Sequence, residues 1–340
     1  NHASAEIVSE IRGVRDRQPL SDEEDGRFQD YLDACDAATA VSAECGEDRA
    51  IVDLVDTQSP FFAAYANMMA AINSADIDVT SAADYEGFDD NESGIALDIP
   101  VPGGYGNLVK TWGADVDVTL NCAVHKIDRS GAGVLVETAK GTLRGRAALL
   151  TVSTGILAAN AIRFAPVLPD WKIDAFLGLP SGTLNKTCLH FDRDVFGPHG
   201  LGMVATWSDA GDHGLIEASL NGNNTAIVYM GGRQAIWLEK QGQEAGSAFA
   251  IDRVSEVFGN DVRRHVTRTI ATAWATEPWT FGAYSCALPG QAHQRAELAK
   301  PLDDRLFFAG EATIPGVQAT CHGAYLSGIR AAEEIASALR

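Results

Sequence analysis

The chain has 340 residues, 46% of them hydrophobic, with a mean hydropathy of -0.04. That leaves room for about two globular domains, and no apolar run approaches the ~20 residues needed to span a bilayer. Net charge is -20, and residues 1 to 100 hold 23 Asp or Glu against 5 Arg and no Lys, a field that argues against nucleic-acid binding and suits either solubility or a cationic ligand.

In chain order, residues 1 to 75 read as helices. Ala5 to Val14 is amphipathic, and Ser21-Asp-Glu-Glu24 is a capping box opening a helix through Phe28, Tyr31 and Leu32. Ser59-Pro60 starts another, with Phe61, Phe62, Tyr65, Met68 and Met69 behind it, a stripe that suits core packing more often than a substrate pocket. Residues 76 to 100 are acidic and turn-rich. Val101-Pro-Gly-Gly-Tyr-Gly is a glycine turn leading into a helix.

From Val116 the pattern changes to short strands: Val116 to Leu120, Ala123 to Asp128, Val134 to Thr138, Gly141 to Arg144 and Ala147 to Val152. Gly182 to Phe191 reads as an apolar strand with one lysine, Lys186, in it. Strands follow at Met203 to Trp207, Leu215 to Leu220 and Ala226 to Met230, then a helical region from Gln234 to Phe258 and a strand over Val266 to Trp274. The six cysteines show no C-x-x-C spacing and the histidines no metal spacing, so no metal is expected; a reducing compartment fits, and with it a cytoplasmic location, any N-terminal targeting signal lying outside these residues.

The tail carries the sharpest signal. Leu306 to Ala309 is an apolar run of strand length, Gly310 ends it where the backbone must turn closely, and a helix follows with Leu326, Ile329, Ala332 and Leu339 on one face. The free N–H groups of Thr320 to Gly323 would stand at that helix N-terminus, which favours an anionic or electron-rich ligand.

Leu-Phe-Phe-Ala-Gly-Glu-Ala-Thr followed by Ala-Thr-Cys-His-Gly-Ala-Tyr-Leu-Ser-Gly resembles the C-terminal signature of the flavin-containing amine oxidase family, of monoamine, polyamine and histone-lysine oxidase type. Further matches lie at Leu120 to Asp128, Gly155-Ile-Leu with Ile162 to Pro169, Gly182 to Phe191 and Trp274 to Ser285, so the resemblance covers roughly residues 101 to 340. It implies a two-domain α/β (α+β) amine-oxidase fold: a Rossmann-like FAD-binding domain without its N-terminal part, and a substrate domain of mixed sheet plus helices. The implied division is 1–105 for the helical part of the substrate domain, 106–165 for the return into the FAD-binding domain, 166–295 for the substrate-domain sheet and helices, and 296–340 for the C-terminal FAD-binding segment.

The same resemblance assigns roles. Gly310 and Glu311 would meet the ribityl and pyrophosphate part of FAD, Thr320 and the Cys321 N–H the flavin ring, and Val124 the adenine. Lys186 would hold a water at flavin N5 and assist reoxidation by O2, Trp274 would pack along the ring, and Tyr284 would form an aromatic wall. Thr320, small where relatives often place an aromatic, would leave a wider substrate pocket opposite Tyr284. Ala283 stands where monoamine oxidases carry the cysteine bonded to the flavin, so the FAD should be non-covalent. His125 and His322 suit structural hydrogen bonding better than base catalysis. The glycosylation pattern at Asn91, Asn185 and Asn223 is discounted, since Asn185 lies on the Lys186 strand.

The family's opening strand and G-x-G-x-x-G loop are missing. Gly231-Gly-Arg233 lies far downstream, and Gly200-Leu-Gly-Met-Val-Ala205 has the spacing without a strand before or a helix after it. The expectation is a second polypeptide, or a removed N-terminal segment, that carries the loop in a two-chain enzyme, because Asn1-His-Ala-Ser is no translation start and the remaining flavin motifs are intact. The activity implied is oxidation of an amine with O2 to an aldehyde or ketone and hydrogen peroxide. The alternatives are an L-amino-acid oxidase subunit, with Arg233 clamping the substrate carboxylate, and a flavin-free, non-catalytic interaction subunit.

Overall fold

The capping box at Ser21 forms as its spacing requires: the Ser21 hydroxyl accepts from the Glu24 N–H, and the Glu24 carboxylate accepts from the Ser21 N–H. The structure is a computed structural model and describes residues 11–88, 101, 103–196, 202–208, 213–218 and 223–340. Two short strands, β1 (Arg12–Arg15) and β2 (Gln18–Pro19), precede α1 (Asp22–Glu44), and α2 (Phe62–Asn73) and α3 (Ala82–Glu86) follow. The helix expected over Ala5 to Val14 falls partly outside the described residues, and its last part is strand. Pairing explains the preference, since Arg12–Arg15 lies parallel to Val204–Trp207, and Gly13 lets Leu20 and the Trp207 ring pack close, a Cβ there lying 2.5 Å from Leu20 Cδ1 and 2.9 Å from the ring.

After α4 (Tyr105–Trp112) come β3 (Val124–Asp128), β4 (Val134–Thr138), β5 (Gly141–Gly145) and β6 (Ala148–Leu150), then α5 (Thr154–Ala158), β7 (Arg163–Ala165) and α6 (Asp170–Leu177). Strands β8 (Leu184–Phe191), β9 (Gly202–Trp207), β10 (His213–Ala218) and β11 (Thr225–Gly231) lead to α7 (Gly232–Gln241), α8 (Gln243–Phe258) and β12 (Val266–Ala271). The chain closes with α9 (Gln294–Ala299), β13 (Leu306–Phe308) and α10 (Cys321–Ala338). The strand expected over Val116 to Leu120 does not form, since no described strand pairs with it; Val116, Val118 and Leu120 are 63%, 62% and 71% exposed.

The described strands form three sheets. The largest runs β12-β8-β11-β10-β9-β1-β2, with β1 added parallel to β9 and the other neighbours antiparallel. One face packs on α1 and α2 through Phe28, Phe61, Tyr65, Met69 and Trp207, so the aromatic and methionine stripe is core, as its spacing suggested. The other face packs Leu189, Phe191, Ile216 and Val228 against Ala250 and Val254 of α8. A four-stranded sheet, β5-β4-β3-β7, and a parallel pair, β13-β6, share a separate core with Phe176, Leu179, Leu298 and Leu302.

One buried cation joins α6 to α9. Lys172 is fully buried, and its ammonium donates to the carbonyls of Glu297 (2.9 Å), Leu298 (2.9 Å) and Lys300 (2.6 Å) at the end of α9, of which the Glu297 carbonyl also accepts from the Lys300 N–H. Its Nζ also lies 4.1 Å from the centroid of the Phe308 ring. Burial pushes this amine down to about 7, against the pull of the Glu297 carboxylate.

Candidate active site

Strand β8 alternates. Asn185, Thr187, Leu189 and Phe191 are buried on one face, and Lys186 projects from the other, exposed, with Nζ 5.1 Å from the Tyr229 ring centroid on the neighbouring strand. Lysine in this otherwise apolar strand is therefore on the open face, away from the α8 core.

Asn185, one residue away, faces inward and organises the segment that carries Trp274. Its carbonyl oxygen accepts from the Trp274 N–H at 3.0 Å and the Thr272 hydroxyl at 3.2 Å, and its amide donates to Glu239 at 2.8 Å. The Glu239 carboxylate of α7 also accepts from the N–H groups of Ala275 (3.1 Å) and Thr276 (2.7 Å) and from the Thr276 hydroxyl (2.5 Å). Burial pulls the Glu239 carboxyl upward, but these donors, Thr276 first and Asn185 next, outweigh it and hold it below the usual range. The Thr272 hydroxyl also accepts from the Lys186 N–H at 2.9 Å, so one knot fixes both Lys186 and Trp274.

Tyr284 is reached by the same segment. The Trp274 carbonyl accepts from the Gly282 N–H, and the Tyr284 carbonyl accepts from Gly182 just ahead of β8. The Tyr284 hydroxyl donates to the carbonyls of Ala71 (3.0 Å) and Ile72 (2.7 Å) at the end of α2, and burial, then Cys286 and Glu311, push its phenol upward. Its ring is thereby fixed at both ends.

Gly310 turns with φ 129°, a conformation that favours glycine, and its N–H donates to Ser327 of α10. Glu311 points back into the protein: its carboxylate accepts from the Ser285 N–H (3.0 Å), the Ser285 hydroxyl (2.8 Å) and the Ala319 N–H (2.9 Å). Thr320 caps α10, its hydroxyl accepting from the Gly323 N–H and donating to the Val317 carbonyl. Cys321 is exposed at the first helical position and bonds to Tyr105 of α4, which raises the Tyr105 phenol. A cavity of about 210 Å³ lies between these parts, lined among others by Leu150 to Ser153, Ala283 and Gly310 to Thr313.

Of the residues singled out in the sequence, Ala283, Gly310 and Glu311 line that cavity; Tyr284 follows Ala283, and Thr320 and Cys321 begin α10, whose Ala324 lines it, while Lys186 and Trp274 lie outside the lining. Val124 is also apart from it, half-buried at the start of β3 and packed on the core of the four-stranded sheet. Asn185, Glu239, Ser285 and Arg295 carried no local signal in the sequence, because their partners lie 26 to 89 positions away or belong to a buried ion pair. Arg233 is engaged elsewhere: its guanidinium pairs with Asp76 and Asp78, beside a separate cavity of about 250 Å³.

Sheet, helices and cavity define an α/β scaffold with two separate cores. Residues 6–336 match the family model for flavin-containing amine oxidoreductases. The chain is 35% identical to polyamine oxidase 4 of Oryza sativa subsp. japonica over 235 residues, which cover 68% of this chain and 47% of that protein. It is 32% identical to lysine-specific histone demethylase 1 homolog 1 of the same plant, covering 71% of this chain and 29% of that protein. Among solved structures, cyclohexylamine oxidase from Brevibacterium oxydans IH-35A superposes with a TM-score of 0.74 at 18% identity, over 96% of this chain and 79% of that one. The chain belongs to the flavin-containing amine oxidoreductase family, whose cofactor is FAD, and it spans about half the length of the polyamine oxidases it matches.

Proposed function

We propose that this chain is the ring-side and substrate-side portion of an FAD-dependent amine oxidase. The reaction converts an amine, O2 and water to an aldehyde or ketone, hydrogen peroxide and a smaller amine or ammonia. The observation that carries this reading is the cavity between Gly310–Thr313 and Ala283, closed by a loop that Glu311 ties to the start of α10. Gly310 fits a ligand approaching closely: a Cβ built there meets only the Thr151 carbonyl, at 4.0 Å, so the turn leaves open space.

When bound, FAD supplies the hydride acceptor. Gly310 and the free N–H groups at the start of α10 would hold its ribityl and ring portion, and Ala283 offers no sulfur for a covalent bond, which supports a dissociable cofactor. The fixed Tyr284 ring gives a rigid apolar wall that orients an amine and strips water from it. Lys186 holds a water on the open face of β8 and moves a proton during reoxidation. The acidic N-terminal third adds a field that draws cationic amines. We place the enzyme in the cytoplasm, a reading supported by its six free thiols.

We further propose that the dinucleotide loop comes from a second polypeptide or a removed N-terminal segment, which docks beside α4 and α10. Leu108, Val109 and Trp112 of α4 and Leu326 and Ile329 of α10 are exposed there, at 41 to 70%, and the Trp112 and Tyr325 rings meet between the two helices. The pair β13-β6 is a parallel ladder of only two described strands, whereas parallel sheets are ordinarily larger and covered on both sides. The amino-acid-oxidase alternative loses its clamp, since Arg233 already answers two carboxylates.

Co-expression with a segment carrying the loop tests the reading. A flavin absorption spectrum and peroxide release on amine addition are expected, and a colourless complex would establish the non-catalytic alternative. In the reconstituted enzyme, Lys186→Met should slow flavin reoxidation by O2; unchanged reoxidation would remove Lys186 from its role.

A further inference from the structure

Glu311 does not offer its carboxylate to the cavity. All three of its contacts run inward, and behind them lies a buried ionic chain. Arg295 of α9 is 1% exposed, and its guanidinium grips Asp84 of α3 with Nε on Oδ1 at 2.5 Å and a terminal nitrogen on Oδ2 at 2.6 Å. Its other terminal nitrogen donates to the Ser285 hydroxyl at 2.8 Å. That hydroxyl donates its single proton to Glu311 at 2.8 Å, and Glu311 then accepts from the Ala319 N–H at 2.9 Å. Ala319 has φ 61°, a left-handed conformation that costs a non-glycine residue energy and needs such an anchor. It is the residue immediately before the Thr320 cap.

We propose that Arg295 and Glu311 are positioning residues, joined through Ser285, that fix the Tyr284 segment and the start of α10 relative to each other. Ser285 follows Tyr284 directly, so a shift of its hydroxyl moves the aromatic wall. Ala319 sets the direction of the α10 N–H groups, so a shift of Glu311 moves the anion-facing end of the helix. Asp84 anchors the chain at its far end: its Oδ2 also accepts from the Ala287 N–H at 3.1 Å, and its carbonyl accepts from the Gln318 amide at 2.7 Å. The Tyr284 segment and the start of α10 are therefore held by one buried relay, beside the cavity that Ala283, Glu311 and Ala324 line. The proposal rests on the amine-oxidase reading above.

The test uses Ser285→Ala, which breaks the relay and leaves Asp84 and Arg295 paired, together with Glu311→Gln and the conservative Ser285→Thr. In the chain itself, amide hydrogen exchange at Ala319 should rise roughly tenfold in Glu311→Gln, the loss expected for one charge-assisted bond. In the reconstituted holoenzyme, Ser285→Ala should weaken flavin binding and raise KM for the amine, each roughly tenfold, with a smaller change in kcat. Ser285→Thr should restore both. Wild-type exchange at Ala319 in Glu311→Gln, or a Ser285→Thr variant as impaired as Ser285→Ala, would overturn the relay. Failure of the wild-type complex to take up flavin would instead overturn the amine-oxidase reading, and the exchange result would still decide the relay.

Discussion

The two flanks of helix α10 are finished to different degrees. At its start, Glu311, Ser285, Arg295 and Asp84 saturate one another, and Thr320 caps the first turn. Along its length, Leu326 and Ile329 are exposed, as are Leu108 and Trp112 of α4, and the Trp112 ring meets that of Tyr325 edge-on at 5.1 Å. The first flank holds its geometry through buried ionic and polar contacts. The second leaves apolar side chains open to solvent, and the contrast separates a rigid end of the helix from an uncovered one.

Four substitutions sharpen that contrast. Arg295→Met should cost most, about 3–5 kcal/mol by thermal melting, because it strands Asp84 as an unpaired buried charge. Lys172→Met should cost about 1–3 kcal/mol in urea denaturation, since it removes the buried donor to the Leu298 and Lys300 carbonyls and leaves the Glu297 carbonyl only the Lys300 N–H. Recovery of full stability in Lys172→Met would show that water satisfies them.

Glu239→Gln should cost about 1 kcal/mol at neutral pH and change the pH dependence. The folded Glu239 carboxyl sits below its unfolded value of about 4.3, so its contribution is complete above that pH and is lost as pH falls through the lower folded value. A melting temperature followed downward from pH 5 should therefore fall less steeply in Glu239→Gln than in the parent. The smallest effect belongs to the open flank: Val109→Glu on α4 should change the stability of this chain by no more than about 0.5 kcal/mol and, on the assembly proposed above, should prevent co-purification with a segment carrying the loop. A destabilised chain would show that Val109 packs internally.

Local chemistry was legible in the sequence. The capping box at Ser21, the strand holding Lys186, the run from Leu306 and the helix after Thr320 all depend on neighbours within a few residues, and all form. The helix expected at Ser59-Pro60 begins two residues later, at Phe62, because Ser59 first turns the chain through the Phe61 N–H. What failed depends on distant partners. Arg12–Arg15 is a strand because β9 lies 190 residues away to receive it, and Val116 to Leu120 alternates like a strand yet finds nothing to pair with. Glu311 was legible through the resemblance of its Gly-Glu pair to a family signature, but its direction was not: only the folded chain shows Ser285 and Ala319 converging on it.

Both rims of the seven-stranded sheet bear on how another polypeptide can join this one. At one rim, β2 is two residues long and ends at Pro19, which has no N–H to extend a ladder. At the other, β12 breaks register between Val266 and Arg268, and it presents Arg268 outward. Each rim is thus a stop to strand-by-strand growth. The sheet beneath Lys186 is thereby closed off at both of its ends.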